Sequence, residues 1–190
     1  MAGRQAIGLA SMNMATLNPL AKFFFDMCLL KEKPQDLPNS LFLLQLLAFS
    51  NFLVNVVINI AVMPPGAALF LALLALALVY GLTRLLLSLF NVSSRLRQTL
   101  IAIFGTELVI AIPAVVLRYW FEALDAAGGQ SDVAVLLWML IFIWSLVVTA
   151  HIFRHSLGKP FGVCVAISVT YTIIIYNIMF QAHTWLVGQT

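Results

Sequence analysis

The sequence predicts an all-α integral membrane protein, a polytopic bundle of five transmembrane helices preceded by an interfacial amphipathic helix. Hydrophobic residues make up 63% of the 190-residue chain and charged residues only 9%, whereas a soluble domain has about 25% charged residues. The mean hydropathy is +1.04. Because so few charges cannot cover a surface that faces water, this composition suits lipid as the solvent, and an unusually apolar soluble domain is the weaker alternative.

Residues 1–16 are expected to be a retained, mobile N-terminus. They contain one arginine, Arg4, followed by a weakly apolar stretch that Ser11 and Asn13 interrupt. A secretory signal peptide has an uninterrupted apolar core, so this segment matches one poorly.

Residues 17–40 are predicted to form an interfacial amphipathic helix and a proline-containing linker. Apolar side chains share one broad face at helical spacing and charged side chains lie roughly opposite; the two groups are Phe23, Phe24, Met27 and Leu30 against Lys22, Asp26 and Lys33. The stretch is too short and too charged to cross a bilayer, which favours a helix that rests in the plane of the membrane interface. Pro34 and Pro38 break it before the first span.

The transmembrane domain is predicted at residues 41–182. A helix needs roughly 20 apolar residues to cross the ~30 Å hydrocarbon layer, and the segments that qualify are 41–63, 67–90, 99–121, 133–153 and 161–182. Proline, glycine, serine and charge concentrate in the breaks, as turns require. Residues 183–190 are expected to be a short outer tail. The loops are too short to contain a soluble catalytic domain on either face.

The distribution of lysine and arginine predicts a cytoplasmic N-terminus and a C-terminus outside. These residues prefer the cytoplasmic side, and this orientation puts only Arg118 in an outer segment. The eight that it puts inside are Arg4, Lys22, Lys31, Lys33, Arg95, Arg97, Arg154 and Lys159. Spans rich in leucine and alanine also favour a bacterial inner membrane as the location.

Three asparagines form a line along the first predicted span. Asn51, Asn55 and Asn59 are four residues apart, so they lie on one helix face. An amide that faces lipid leaves its donors and acceptors unmet, so this face should point into the bundle. Hydrogen bonding between helices is the structural explanation, and a polar path or partner-binding face is the functional one. The candidate partners, on a line of the same spacing in the fifth span, are Ser168, Thr172 and Tyr176.

Two ionisable residues are predicted at membrane depth. Glu107 lies about 12 Å from the inner end of the third predicted span at 1.5 Å per residue, and Arg84 lies in the inner half of the second. A lone charge at such depth costs at least about 2.5 kcal/mol, so we expect the two side chains to face each other. By default an intramembrane charge suggests function. A purely structural ion pair, or a Glu107 kept protonated by desolvation, is the alternative.

The predicted cytoplasmic face is basic. Its members are Arg95, Arg97, His151, Arg154, His155 and Lys159. Histidines four residues apart can bind a metal together, but His183 lies on the outer side and no other histidine exists to complete a site. We therefore expect a cationic collar that contacts anionic lipid headgroups. The net charge of +3 and the pI of about 9.1 then indicate a membrane partner and not nucleic acid.

No pattern in the chain predicts catalysis, a metal site or a cofactor. A glycine-rich phosphate loop, a Ser/His/Asp set and a pair of catalytic carboxylates are all absent from the sequence. Cys28 precedes the spans and Cys164 lies inside one, so a disulfide framework is not expected. An enzyme that acts on lipid, with His151 or His155 as base, would have only Ser156 or Thr149 as nucleophile. This is the weakest functional interpretation.

Two stretches of the chain resemble the Yip-domain family, the Ypt/Rab-interacting membrane proteins and their bacterial relatives. They are RQTLIAIFGTELVIAIPAV, which enters the third span from a basic loop, and WSLVVTAHIFRHSLGKPFGVCVAISVTYTI, which joins the fourth and fifth spans. The long cytoplasmic N-terminal region of the eukaryotic members has no counterpart here. The resemblance therefore implies a small inner-membrane protein rather than GTPase binding, and it supplies no catalytic residue.

Two functions are expected from these observations. The first is a non-enzymatic scaffold, assembly or trafficking-type factor that acts through helix–helix, lipid and protein contacts, with other membrane proteins or a second copy as partner. The alternative is a small oligomeric transporter or channel with a polar path along Asn51, Asn55, Asn59 and Glu107. The two are distinguished by whether these polar groups surround a cavity or bond only to one another.

Overall fold

The fold is described by a computed structural model that covers residues 14–60, 63–126 and 132–187. These residues form six α-helices and two single turns of 3₁₀-helix, with no strand among them. The α-helices are α1 (Met14–Cys28), α2 (Leu41–Ile60), α3 (Pro65–Leu89), α4 (Leu96–Ala126), α5 (Asp132–Leu157) and α6 (Phe161–Val187), and the 3₁₀ turns are Pro34–Asp36 and Ser93–Arg95. The predicted all-α class is confirmed. Residues 1–13 of the predicted mobile N-terminus lie outside the described part.

Helices α2 to α6 are each long and apolar enough to cross a membrane. Their apolar windows have mean hydropathies between 2.0 and 2.6, and most large apolar side chains on their outer faces are exposed. A water-soluble bundle would bury these surfaces, whereas lipid solvates them. The chain is therefore an integral membrane protein with five candidate spans.

The breaks between the spans follow from local backbone chemistry. Pro65 occupies the first turn of α3, where no backbone N–H is required. Asn91 ends α3 with φ 57°, and Gly158 ends α5 with φ 66°; the left-handed conformation at such positions terminates helices. The predicted break at 122–132 is shorter than expected, because EALDA contains good helix formers and α4 continues to Ala126.

The five spans form a closed ring in the order α2, α3, α6, α5, α4 and back to α2, and α3 also contacts α4 across this ring. We call the end of this ring that carries Arg95, Arg154 and Lys159 the basic end. The larger hydrophobic core lies in the half next to the basic end, where residues 99–106 of α4 are all buried. A second, smaller apolar cluster joins the start of α3 to the end of α6 in the other half.

Helix α1 packs on α4. Its residues Phe24, Met27 and Cys28 are buried, while Phe25 on the opposite face is half-exposed. The ring of Phe24 lies directly over Gly105, where an added Cβ would overlap it. Phe24 and Met27 of the predicted apolar face therefore point into the protein, whereas Leu30, which lies past the end of α1, is exposed. Glycine is required at the contact with Phe24.

Residues 29–39, the return segment, lead from α1 back to the basic end along α5. Trp144 Nε1 donates a hydrogen bond to the Cys28 carbonyl at 2.8 Å, His151 Nε2 bonds the Glu32 carbonyl at 3.0 Å, and Gln35 Nε2 donates to the His155 carbonyl at 2.9 Å. Trp144 lies at the middle of its span. The sequence predicts α1 but not this depth: its last residue lies beside mid-span and not at the membrane interface, because its apolar face packs on α4.

Candidate functional site: an intramembrane cavity

A cavity of about 420 Å³ lies inside the ring of spans and is lined by residues from all five of them. Its lining on α4 runs from Ile103 to Ala114, which centres it on the middle of that span. The cavity reaches the outer surface of the bundle at α6, because Tyr176 both lines it and is 63% exposed. Its polar lining residues are Asn51, Asn55, Thr106, Glu107, Ser145, Thr149, Tyr171, Thr172 and Tyr176.

The asparagine line divides into two lining residues and one that lies beyond the cavity. Asn51 is buried, and its Nδ2 donates to the Phe104 carbonyl of α4 at 2.8 Å and to the Leu47 carbonyl at 3.2 Å. Asn55 Nδ2 donates to the Asn51 carbonyl at 2.9 Å, and Asn59 Nδ2 donates to the Asn55 carbonyl at 2.7 Å. Asn51 thus uses both of its amide N–H groups on backbone, whereas Asn55 and Asn59 each use one and keep the other, together with the carbonyl oxygen.

Glu107 lines the cavity at mid-span and forms no hydrogen bond or ion pair with any described residue. The expected pair with Arg84 is wrong: the arginine is exposed on the outside of α3, while its neighbour Thr83 faces inward. The error arises from helix rotation, since similar depth does not bring two side chains to the same face.

Some hydroxyl groups of the cavity wall donate hydrogen bonds to the protein, and others do not. Those of Thr106, Ser145 and Thr149 donate to backbone carbonyls of their own helices at 2.7 to 3.0 Å. Tyr171 Oη lies 3.3 Å from the Val79 carbonyl and 3.2 Å from Thr83 Oγ1, which joins α6 to α3. Thr172 and Tyr176 have no such bond within the described residues. Most hydrogen-bond donors around the cavity are therefore already used.

Only two of the three residues in the predicted polar line on α6 belong to this site. Thr172 and Tyr176 line the cavity, but Ser168 is buried between helices and donates to the Leu146 carbonyl of α5 at 2.9 Å. Tyr171, which sequence reasoning did not select, replaces it at the cavity wall. Its neighbour Thr172 fits the four-residue spacing, but no sequence signal distinguished the tyrosine from an ordinary core aromatic.

The predicted basic face is partly used inside the protein. Arg95 Nη1 donates to the His155 and Ser156 carbonyls at 3.1 and 3.0 Å, at the C-terminal end of α5. His151 is buried against the return segment and contacts His155 edge to face, with ring centroids 4.6 Å apart. The members that stay exposed are Arg97, Arg154 and Lys159, and Lys159 Nζ lies 5.6 Å from the ring centroid of Phe90. Within the described ranges, no three His, Cys, Asp or Glu residues are grouped to hold a metal ion.

The fold and the cavity define an integral membrane protein with a polar site in the middle of its helical bundle. No protein-family model, no curated protein and no solved structure matches the chain. The resemblance to the Yip-domain family therefore stays a prediction, and the function has to be argued from the cavity itself.

Proposed function

We propose that this protein is a small, non-enzymatic membrane carrier that takes a small solute into the cavity around Glu107. The observation that supports this proposal is a mid-span carboxyl that no described residue pairs, in a cavity that all five spans line. A charge at that depth is costly and marks substrate pathways in membrane proteins. Cavities of this size are typical of small-molecule sites.

The scaffold function is the less favoured proposal. A scaffold would have the predicted basic face available for partners, but Arg95 of that face is used to bind the end of α5. The polar side chains at mid-span also do not only bond to one another, because they surround a cavity. We further propose that the basic end faces the cytoplasm of a bacterial cell, since lysine and arginine prefer that side.

Reaction of single cysteines with a small water-soluble reagent tests whether the cavity is reached from water. Ala111 lines the cavity on α4, and Ala77 faces outward at a similar mid-span position on α3. We expect 2-aminoethyl methanethiosulfonate to modify Ala111→Cys and to leave Ala77→Cys unmodified, in protein reconstituted into lipid nanodiscs. The natural cysteines, Cys28 and Cys164, are buried, so the wild-type protein supplies the background rate, and mass spectrometry measures the adduct.

Two outcomes of this experiment would contradict the carrier. If neither cysteine is modified, the cavity is sealed from water and cannot admit a solute. If Ala77→Cys reacts as fast as Ala111→Cys, the reagent arrives through the lipid and the cavity gives no special access.

A further inference from the structure

We infer that the solute of this cavity is a small organic cation with an apolar body, held by Glu107. This inference rests on the proposed function and specifies its substrate class. Three properties of the cavity wall select such a ligand: the hydrogen-bonding groups it offers, its charge, and its apolar and aromatic surface.

The cavity wall offers mainly hydrogen-bond acceptors. Both amide N–H groups of Asn51 donate to backbone carbonyls, and so does one of the two on Asn55, so Asn51 offers a ligand its Oδ1 atom alone. The hydroxyls of Thr106, Ser145 and Thr149 donate to backbone as well. The wall therefore suits a ligand that donates hydrogen bonds or carries positive charge, since the donors left among the described lining residues are few: one N–H of Asn55 and the hydroxyls of Thr172 and Tyr176.

When Glu107 is ionised, the cavity carries the matching negative charge. Among the described residues, the lining contains Glu107 as its one ionisable acid and contains no lysine, arginine or histidine. Arg84, the only cation expected to neutralise this acid, is exposed on the outer face of α3. A cationic ligand would supply the opposite charge that the protein does not, and inside a helical bundle such an attraction is screened less than in bulk water.

The rest of the wall suits the body of such a ligand. Most of its lining residues are apolar, with Phe52, Phe104 and Met179 among them. Tyr171 and Tyr176 add aromatic rings on α6, and cations bind over such rings when they are shielded from water. An alkylated or aromatic ammonium fits these apolar and aromatic surfaces better than a strongly hydrated inorganic ion.

Equilibrium dialysis of benzyltrimethylammonium against nanodisc-bound protein tests the inference, with protein-free nanodiscs to subtract partition into lipid. The uncharged comparison ligand is neopentylbenzene, in which carbon replaces the nitrogen at the same shape. We expect the cation to bind at least about tenfold more tightly than its neutral analogue, since a single unscreened charge pair exceeds that factor. Glu107→Gln should remove this preference and Glu107→Asp should keep most of it.

A cavity-filling variant separates the two proposals. Ala111→Phe should abolish binding of either ligand while the purified protein keeps its helical circular dichroism. In one possible outcome, the wild-type protein and Glu107→Gln bind the two ligands equally well while Ala111→Phe binds neither. The cavity would then be a solute site, but the cationic class of the solute would be overturned. If the cation does not bind the wild-type protein above the lipid background, the inference is also overturned, and cysteine labelling at Ala111 still decides the carrier.

Discussion

A leucine at Gly105 is expected to displace α1 and to destabilise the protein by about 3 kcal/mol, as overpacking with loss of a buried phenylalanine contact does. The position has no free space, since even a Cβ would overlap the ring of Phe24. Unfolding in mixed micelles, followed by circular dichroism, measures the loss. Cys28 is 1% exposed while α1 is docked, so its thiol should react with maleimide faster in the variant.

A matched substitution exists at Gly81 in α3. This glycine is also inside a helix, but nothing lies within 4 Å of the place where a Cβ would stand. Gly81→Leu should therefore be neutral or slightly stabilising, because glycine is a poor helix former. Phe24→Ala should relieve the overlap, so the double variant with Gly105→Leu should lose less stability than the two single losses combined. Equal destabilisation by both leucines would show that α1 does not pack at Gly105.

Asn51→Leu should cost about 1–3 kcal/mol, whereas Asn59→Leu should cost almost nothing. Asn51 is 6% exposed and reaches across to α4 through its 2.8 Å bond to the Phe104 carbonyl. Its loss removes a buried bond between helices. Asn59 bonds only to the Asn55 carbonyl of its own helix, and a leucine there is compatible with lipid. The same micelle unfolding assay compares the two variants.

The relative stability losses of Asn51→Leu and Asn59→Leu distinguish the structural from the functional explanation of the asparagine line. If Asn59→Leu were as costly as Asn51→Leu, the whole line would be a structural seam between helices. The expected difference would instead leave one structural asparagine, Asn51, and would agree with a lining role for Asn55.

The number and order of the spans were predictable because they depend on apolar length, which the sequence displays directly. The spacing of the asparagines likewise predicted an inward face, and Asn51 and Asn55 are on it. The sequence could not predict how each helix is rotated about its axis or how deep α1 lies in the membrane. Arg84 and Glu107 were paired by depth alone, and α1 was placed in the interface because its contact with Gly105 is long-range and leaves no local pattern.

Side-chain partners at the basic end could not be predicted from the sequence either. Arg95 and Arg154 look alike in sequence, yet one binds the carbonyls at the end of α5 and the other is exposed. Tyr171 is a further example: its sequence context suggests an ordinary core aromatic, but it forms part of the cavity wall. Positive charge predicts a side of the membrane, whereas the partner of each side chain depends on how the helices pack.

The central claim is that Glu107 is an unpaired carboxyl in a cavity that small molecules can enter. Dicyclohexylcarbodiimide, an apolar reagent for carboxylic acids in membranes, tests it directly when its adducts on the reconstituted protein are located by mass spectrometry. We predict an adduct on Glu107 that is absent from Glu107→Gln. If Glu107 stays unmodified while other carboxyls of the protein react, the carboxyl is engaged or inaccessible, and the cavity account is contradicted.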